Sequence, residues 1–139
     1  MEIPYRIVQI VTSKFEQHSD SFEVGPDIKM SSGYNFAVND VAHRVRCESV
    51  YKYLQKDVEL LDLNLVCVFE VEPSAFNALK NGIDITIPVE FLRYMATICV
   101  GTARGIIHAR TESTPLSNIV LPPINLVEVI KEPLVVKIN

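Results

Sequence analysis

The sequence has no long hydrophobic run, and its longest apolar stretches are short ones such as residues 65–69, LVCVF. A helix needs roughly 20 apolar residues to cross a membrane, so no stretch predicts stable membrane insertion. The first residues, MEIPYR, carry a charge of each sign and lack the apolar segment of a secretory signal peptide. We therefore expect a cytoplasmic protein.

Cysteine is scarce: Cys47, Cys67 and Cys99 lie far apart in the sequence, and no C-x-x-C pair occurs. An odd number of cysteines without an export signal is typical of reduced, buried thiols. No pair has the spacing of metal ligands. The sequence predicts no metal site and no cofactor.

A strong cluster of basic residues is also missing. The formal net charge is −4, and the nearest thing to a cluster is Arg44, Arg46 and Lys52. Nucleic-acid binding depends on clustered Lys and Arg that displace counterions from phosphates, so the composition argues against a nucleic-acid partner.

No constellation of catalytic residues is evident. The three histidines, His18, His43 and His108, stand in no recognised local signature with a nucleophile. Residues 101–105, GTARG, resemble a phosphate-binding loop only weakly, because they lack its lysine and lie inside a helical pattern. We expect a non-enzyme. An enzyme or small-ligand protein on a similar scaffold remains an alternative, and would need convergent polar groups in a pocket.

The chain reads as one domain, residues 1–139, that begins with strands. Residues 5–14, 30–38, 43–54 and 60–71 are rich in β-branched and aromatic residues, and most alternate between apolar and polar. The last of these gives the clearest period of two. Its apolar face comprises Leu61, Leu63, Leu65, Cys67, Phe69 and Val71. Short turns between the strands imply antiparallel neighbours.

A helix is predicted after the strands. Pro88 is well placed at the first turn, and residues 89–109 are apolar on most sides, so a sheet or a partner subunit should cover them. Residues 75–87 are ambiguous, residues 121–126 must be extended because of their two prolines, and residues 134–138 favour a short strand. The prediction is an α+β fold, a four-stranded antiparallel sheet with one long helix packed on it.

Four segments of the chain resemble the SecB protein-export chaperone family. Residues 19–23, SDSFE, resemble its acidic S-F-E stretch, and residues 69–71, FEV, resemble its C-E-V stretch. The segment from Pro88 to Gly105 is similar to its first long helix. Residues 121–126, LPPINL, resemble the L-A-P-V-N-F signature, the most specific of the four. The match spans about residues 5–127.

The sequence departs from the family at its end. Residues 106–120 form a longer link than usual, and Pro133 disfavours the second helix that should follow residue 126. The tail, residues 128–139, is divergent. Phe69 also stands where the family has cysteine.

The resemblance implies a SecB-like homo-oligomer, a dimer of dimers, that holds unfolded polypeptide clients without ATP and passes them to the SecA motor for export. The residues that match the acidic SecA-docking face are Glu23, Val68 and Glu70. A dedicated chaperone for one partner, such as an antitoxin, is the alternative within the same class.

A holdase must present extended apolar surface, because clients of varied sequence bind mainly by non-directional burial. The aromatic candidates for this client-binding surface are Tyr34, Phe36, Tyr51, Tyr53, Phe69 and Phe76. The same residues are also candidates for the core or for subunit interfaces, where aromatic side chains are more often found.

Overall fold

The main structural unit is a four-stranded antiparallel sheet. The computed structural model describes residues 2–138. Strands β1 (Tyr5–Gln17), β2 (Ile28–Asn39), β3 (Arg44–Gln55) and β4 (Val58–Val71) lie in the order β1-β4-β3-β2. The four predicted strands are confirmed; β1, β2 and β4 are longer than the pattern indicated, and β3 has the predicted length. Strands β1 and β2 are the two terminal strands of the sheet, that is, its edge strands.

One face of the sheet is buried and the other is polar at its ends. Cys47 on β3 lies opposite Cys67 on β4 and Phe36 on β2, so all three point to the same side. Every second residue of β3 is buried on this side, which we call the inner face. Lys56 and Asp57 both have positive φ in the turn between β3 and β4, as the tightest hairpin turns require.

Helix α2 (Val89–Thr111) covers the inner face where it packs on β3 and β4. Pro88 stands immediately before its first residue. Proline is tolerated at a helix start because the N–H that it lacks would have no partner within the helix there. Met95, Cys99, Ala103 and Ile107 are its buried row. The predicted α+β fold, with one long helix on a four-stranded antiparallel sheet, is thereby confirmed.

The three thiols meet in this core as free, buried cysteines. The neighbouring Cys99 thiol and burial raise the pKa of Cys67. Cys47 and burial likewise act to raise the pKa of Cys99, to about 12. Cys67 and Cys99 therefore remain thiols at neutral pH, and all three cysteines pack as small apolar side chains.

The segments that the sequence left ambiguous form a second, smaller sheet. Residues 75–87 belong to a short helix α1 (Pro73–Ala78) and strands β5 (Lys80–Asn81) and β6 (Asp84–Ile87). Strand β7 (Leu134–Lys137) returns from the tail to pair with β6. Before it, helix α3 (Leu126–Val129) is a single turn. In the described chain no helix is long and apolar enough to cross a membrane.

Candidate functional site

A groove of about 310 Å³ opens beside the start of β2. One wall comes from the sheet, where Ile28, Met30 and Tyr53 point inward. The other wall is the segment 115–122, which follows helix α2. The remaining lining residues are Phe22, Pro115, Leu116, Asn118, Ile119, Val120 and Pro122. With a single amide among ten lining residues, the groove is suited to apolar side chains rather than to a charged small molecule.

A buried glutamine holds the loop at one end of the groove. Gln55 is 3 % exposed. Its side-chain amide accepts a hydrogen bond from the Glu23 N–H and donates to the carbonyls of Glu23 and Pro26, at 2.8–2.9 Å. This arrangement fixes Phe22 at the rim, because the backbone on both sides of Glu23 is tied to the end of β3.

An arginine of helix α2 holds the opposite wall. Arg104 donates through Nε to the Leu121 carbonyl at 2.7 Å and through Nη2 to the Pro122 carbonyl at 3.1 Å. Leu116 and Leu121 are each 1 % exposed. The segment is therefore a packed wall of the groove, anchored by two leucines and one guanidinium.

A second cavity, of about 600 Å³, lies farther along β2. Tyr34 and Phe36 line it together with Leu92 of helix α2 and residues 128–134 of the tail. Arg93 anchors the tail here, since its Nε donates to the Ile130 carbonyl at 2.8 Å. The inward residues of β2 between and beside the two cavities are Ile28, Met30, Ser32, Tyr34 and Phe36, which lie in one row on a terminal strand.

The phenol of Tyr53 is an unusual feature of the groove wall. Its hydroxyl is buried and finds no hydrogen-bond partner within residues 2–138. Burial raises the pKa of Tyr53 to about 12, although the nearby Arg104 charge acts in the opposite direction. Buried hydroxyls are normally paired, so this one offers an unused donor close to the groove.

The structure divides the six predicted client-binding residues into two groups. Tyr34 and Phe36 are half-buried and line a cavity. The other four are in the core, with exposed fractions of 0 % for Tyr51, Phe69 and Phe76 and 4 % for Tyr53. These four do not present open surface in the folded chain, although Tyr53 forms part of the groove wall, and their contact with clients stays a prediction.

Phe76 illustrates this burial. Its ring lies 5.0 Å from the ring of His43, and the ammonium of Lys80 lies 5.7 Å from its centre. The side chain points from helix α1 into the core, where these contacts surround it and where Leu79 is also buried. Client contact at Phe76 would require helix α1 to open.

The three residues predicted to dock SecA do not form one acidic patch. Glu23 reaches Lys56 at 2.7 Å beside the end of β3, whereas Glu70 lies opposite Arg44 at its start. Strand β3 has 12 residues, which at about 3.3 Å each place its two ends about 36 Å apart. Val68 lies between the two ends and is 8 % exposed.

Glu70 is moreover neutralised by cations. Its carboxylate accepts hydrogen bonds from Arg6 at 3.0 Å and from Arg44 at 3.3 Å. The hydrogen bond from Arg6, followed by that from Arg44, lowers the pKa of Glu70. This corner of the outer sheet face therefore carries no excess of negative charge.

Sequence reasoning did not identify the cluster of Glu16, His18 and Glu59, whose potential ligand atoms lie within 4.8 Å of one another. His18 Nε2 is 3.5 Å from the Glu59 carboxylate. Glu16 and His18 are about half exposed, and Glu59 is 31 % exposed. The nearby Lys14 ammonium pairs with Asp62 at 2.8 Å. The group is an ordinary surface arrangement of acids around an imidazole.

Comparisons with known proteins identify a structural likeness and no sequence relative. No family model matches the chain, and no curated protein matches it. Among solved structures, the chain resembles the Mycobacterium tuberculosis SecB-like chaperone Rv1957, in complex with a ChAD peptide from the Rv1956 HigA1 antitoxin. The TM-score is 0.53 at 12 % identity, over 86 % of this chain and 90 % of that chain. At this identity the likeness shows a shared SecB-like fold.

Proposed function

We propose that this protein is an ATP-independent holdase that binds extended segments of unfolded polypeptide along strand β2. The observation that carries the proposal is the largely apolar row of inward-facing residues on this terminal strand, with a cavity at each end. An extended peptide can place side chains that point to the same face into such cavities. The proposal includes no catalytic step.

The chemistry of the groove suits clients of varied sequence. Burying about 200 Å² of apolar client surface contributes about 5 kcal/mol before the entropic cost of binding. Within the part of the chain that the structure describes, strand β2 pairs with β3 on one side, so its other edge can add backbone hydrogen bonds that do not depend on client sequence. The fold likeness adds support, since the SecB-like chaperone of similar fold was solved with a bound peptide.

The proposal predicts that Val120→Asp abolishes most holdase activity. Val120 lines the groove and is 65 % exposed, so a carboxylate there should leave the fold intact while opposing apolar clients. The measurement is light scattering from a chemically unfolded test protein diluted into a stoichiometric amount of this protein, without nucleotide. Wild type should suppress aggregation, and the variant should suppress it several-fold less.

Val41→Asp is the matched control, because Val41 is 91 % exposed and lines none of the cavities described above. It should suppress aggregation as wild type does. Equal activity of the Val120 and Val41 variants would place the client elsewhere. A folded wild type that suppresses no aggregation would contradict general holdase function.

A dedicated role is the second candidate. The neighbour of similar fold was captured with a peptide from an antitoxin, which favours a chaperone that serves one partner. A toxin–antitoxin pair encoded beside this gene, together with protection of that antitoxin alone, would distinguish this role from general export. Transfer to SecA remains a prediction from the family resemblance, and the pairing of Glu70 with two arginines gives it no added support.

We further infer that the chain forms a homo-oligomer, with a dimer of dimers as the proposed form. Ile7 and Ile10 lie opposite buried residues of β4, on the inner face, yet they are 42 % and 51 % exposed, whereas helix α2 packs on β3 and β4 and meets β1 at Tyr5 and Gln17, near the two ends of the strand. On the same side, Gly101 and Gly105 of α2 have open space beside them. A second copy would cover this apolar strip at the terminal strand.

A further inference from the structure

A cavity of about 640 Å³ lies at the opposite end of helix α2 from the β2 groove. The chain just before and at the start of β1 forms one side, with Glu2, Ile3, Pro4 and Tyr5. The first turns of α2 and the proline before them form the other, with Pro88, Glu90, Phe91 and Tyr94. This cavity shares no lining residue with the β2 groove, and it does not include the exposed Ile7 and Ile10 of β1.

Three aromatic rings surround one side of the cavity. The ring of Tyr5 is 5.7 Å from that of Phe91 and 5.7 Å from that of Tyr94, and both pairs are edge-to-face. Tyr94 is 55 % exposed although it is a large aromatic residue on a helix. Burial and the neighbouring Tyr94 phenol raise the pKa of Tyr5 to about 12, so the phenol is neutral at physiological pH.

Two carboxylates complete the lining, and among the described residues no cation pairs with them. Within residues 2–138, neither Glu2 nor Glu90 has a Lys, Arg or His nitrogen within 4.0 Å. Some acids of this chain, among them Glu23, Asp62 and Glu70, each contact a cation. What sets Glu2 and Glu90 apart is that both line the same cavity as the three rings. Glu90 also lies in the first turn of α2, where an acid is favourable, but this does not explain Glu2 or the rings.

We propose that the cavity binds the cationic side chain of a lysine or arginine in a bound polypeptide. Aromatic faces attract cations through their quadrupoles, and a carboxylate beside them adds direct charge attraction. The inference rests on the proposed function for the source of the polypeptide. It adds a second, charge-selective point of contact at the far end of α2 from the apolar groove.

The test uses two peptides that differ only in charge. Both carry the same apolar residues and one tryptophan, and one has lysines where the other has glutamines. Because the protein contains no tryptophan, the emission and anisotropy of the peptide report its binding directly. Wild type should bind the lysine peptide about tenfold more tightly than the glutamine peptide, and added salt should reduce the difference.

Variants of the cavity should remove this preference without affecting the neutral peptide. Tyr94→Leu keeps an apolar side chain but removes the ring, and Glu90→Gln removes a charge with little change of shape. Each should weaken lysine-peptide binding several-fold. Tyr94→Phe keeps the ring and should bind as wild type does. Asp20→Asn, an exposed acid outside the cavity, controls for the loss of one negative charge.

The outcomes separate the two proposals. Equal affinity of wild type for both peptides, or equal effects of Glu90→Gln and Asp20→Asn, would overturn the cation site while the groove remained. If wild type bound neither peptide, the holdase proposal and this inference would both be wrong. Dissociation of the oligomer by Tyr94→Leu would assign the rings to a subunit interface, which also overturns the inference.

Discussion

Two polar side chains hold the walls of the β2 groove in place, although the residues that line the groove are mostly apolar. Gln55 and Arg104 each satisfy backbone groups of an irregular segment, and both segments carry lining residues. Irregular backbone near a core must find hydrogen-bond partners, since an unpaired buried group costs about 1–3 kcal/mol. The burial of Gln55 could not be predicted from the sequence, because a buried amide and a solvated one have the same identity there.

Tyr53 allows a prediction at this scale. Tyr53→Phe removes a buried hydroxyl that has no hydrogen-bond partner in the described chain, so stability at pH 7 should stay the same or rise. The pKa of Tyr53 is raised to about 12 in the folded protein, against 10 in the unfolded chain. Its stabilising contribution is therefore complete below pH 10 and is lost as pH rises from 10 towards 12.

Urea unfolding at pH 7 and at pH 11 is the measurement. The phenylalanine variant should lose less stability between the two pH values than wild type does. An identical loss in the two proteins would mean that Tyr53 titrates normally. A large destabilisation of the variant at pH 7 would mean that the hydroxyl has a hydrogen-bond partner after all.

At the scale of elements, two arginines three helical turns apart attach the segment after helix α2 to that helix. Arg104 binds the carbonyls of Leu121 and Pro122, and Arg93 binds those of Val127 and Ile130. The segment lacks regular backbone pairing over residues 119–125. The side chains of Arg93 and Arg104 therefore replace the backbone hydrogen bonds that a strand would make to a neighbouring strand. Each arginine holds the wall of a different cavity.

We predict that these attachments act separately. Arg104→Met should speed amide exchange at Ser117 and Ile119, whose N–H groups bond within the first wall, and leave Glu128 and Ile130 as they are. Arg93→Met should do the reverse. Hydrogen exchange followed by NMR gives both readings in one experiment. Faster exchange at all four amides in either variant would show that the segment opens as one unit.

At the scale of the whole molecule, the terminal strands have different proposed partners. Strand β2 is flanked by cavities and is proposed to receive clients, whereas β1 carries exposed isoleucines and is proposed to receive a second copy. Exposed apolar strand edges are otherwise hazardous, because they promote unspecific association. A net charge of −4 keeps like molecules apart until specific contacts form.

Ile10→Lys should shift the protein to a smaller assembly, because a charge then replaces the apolar side chain at the centre of the strip. Static light scattering after size-exclusion chromatography measures the mass. Ile83→Lys is the matched control, since Ile83 is 65 % exposed in a turn away from β1 and should leave the mass unchanged. A wild type that is already monomeric would refute the proposed assembly.

The sequence alone determined the four strands of the main sheet and the long helix, and it left the second, smaller sheet open. Alternation in residues 60–71 and the apolar length of residues 89–109 predict a strand and a helix, because local periodicity reflects which face is buried. Pro73 and Pro88 mark the element boundaries, since proline removes a backbone donor. The segment that resembles L-A-P-V-N-F has no regular secondary structure over residues 121–125, and the prediction of an extended chain through residue 126 is wrong at Leu126, which begins helix α3.

Only the tertiary structure decided which aromatic residues are accessible. Tyr34 and Tyr51 look alike in the sequence, yet Tyr34 lines a cavity on a terminal strand and Tyr51 is fully buried on an inner one. The distinction depends on strand order and on where helix α2 and the tail come to lie. These are long-range contacts, and no local pattern of residues encodes them.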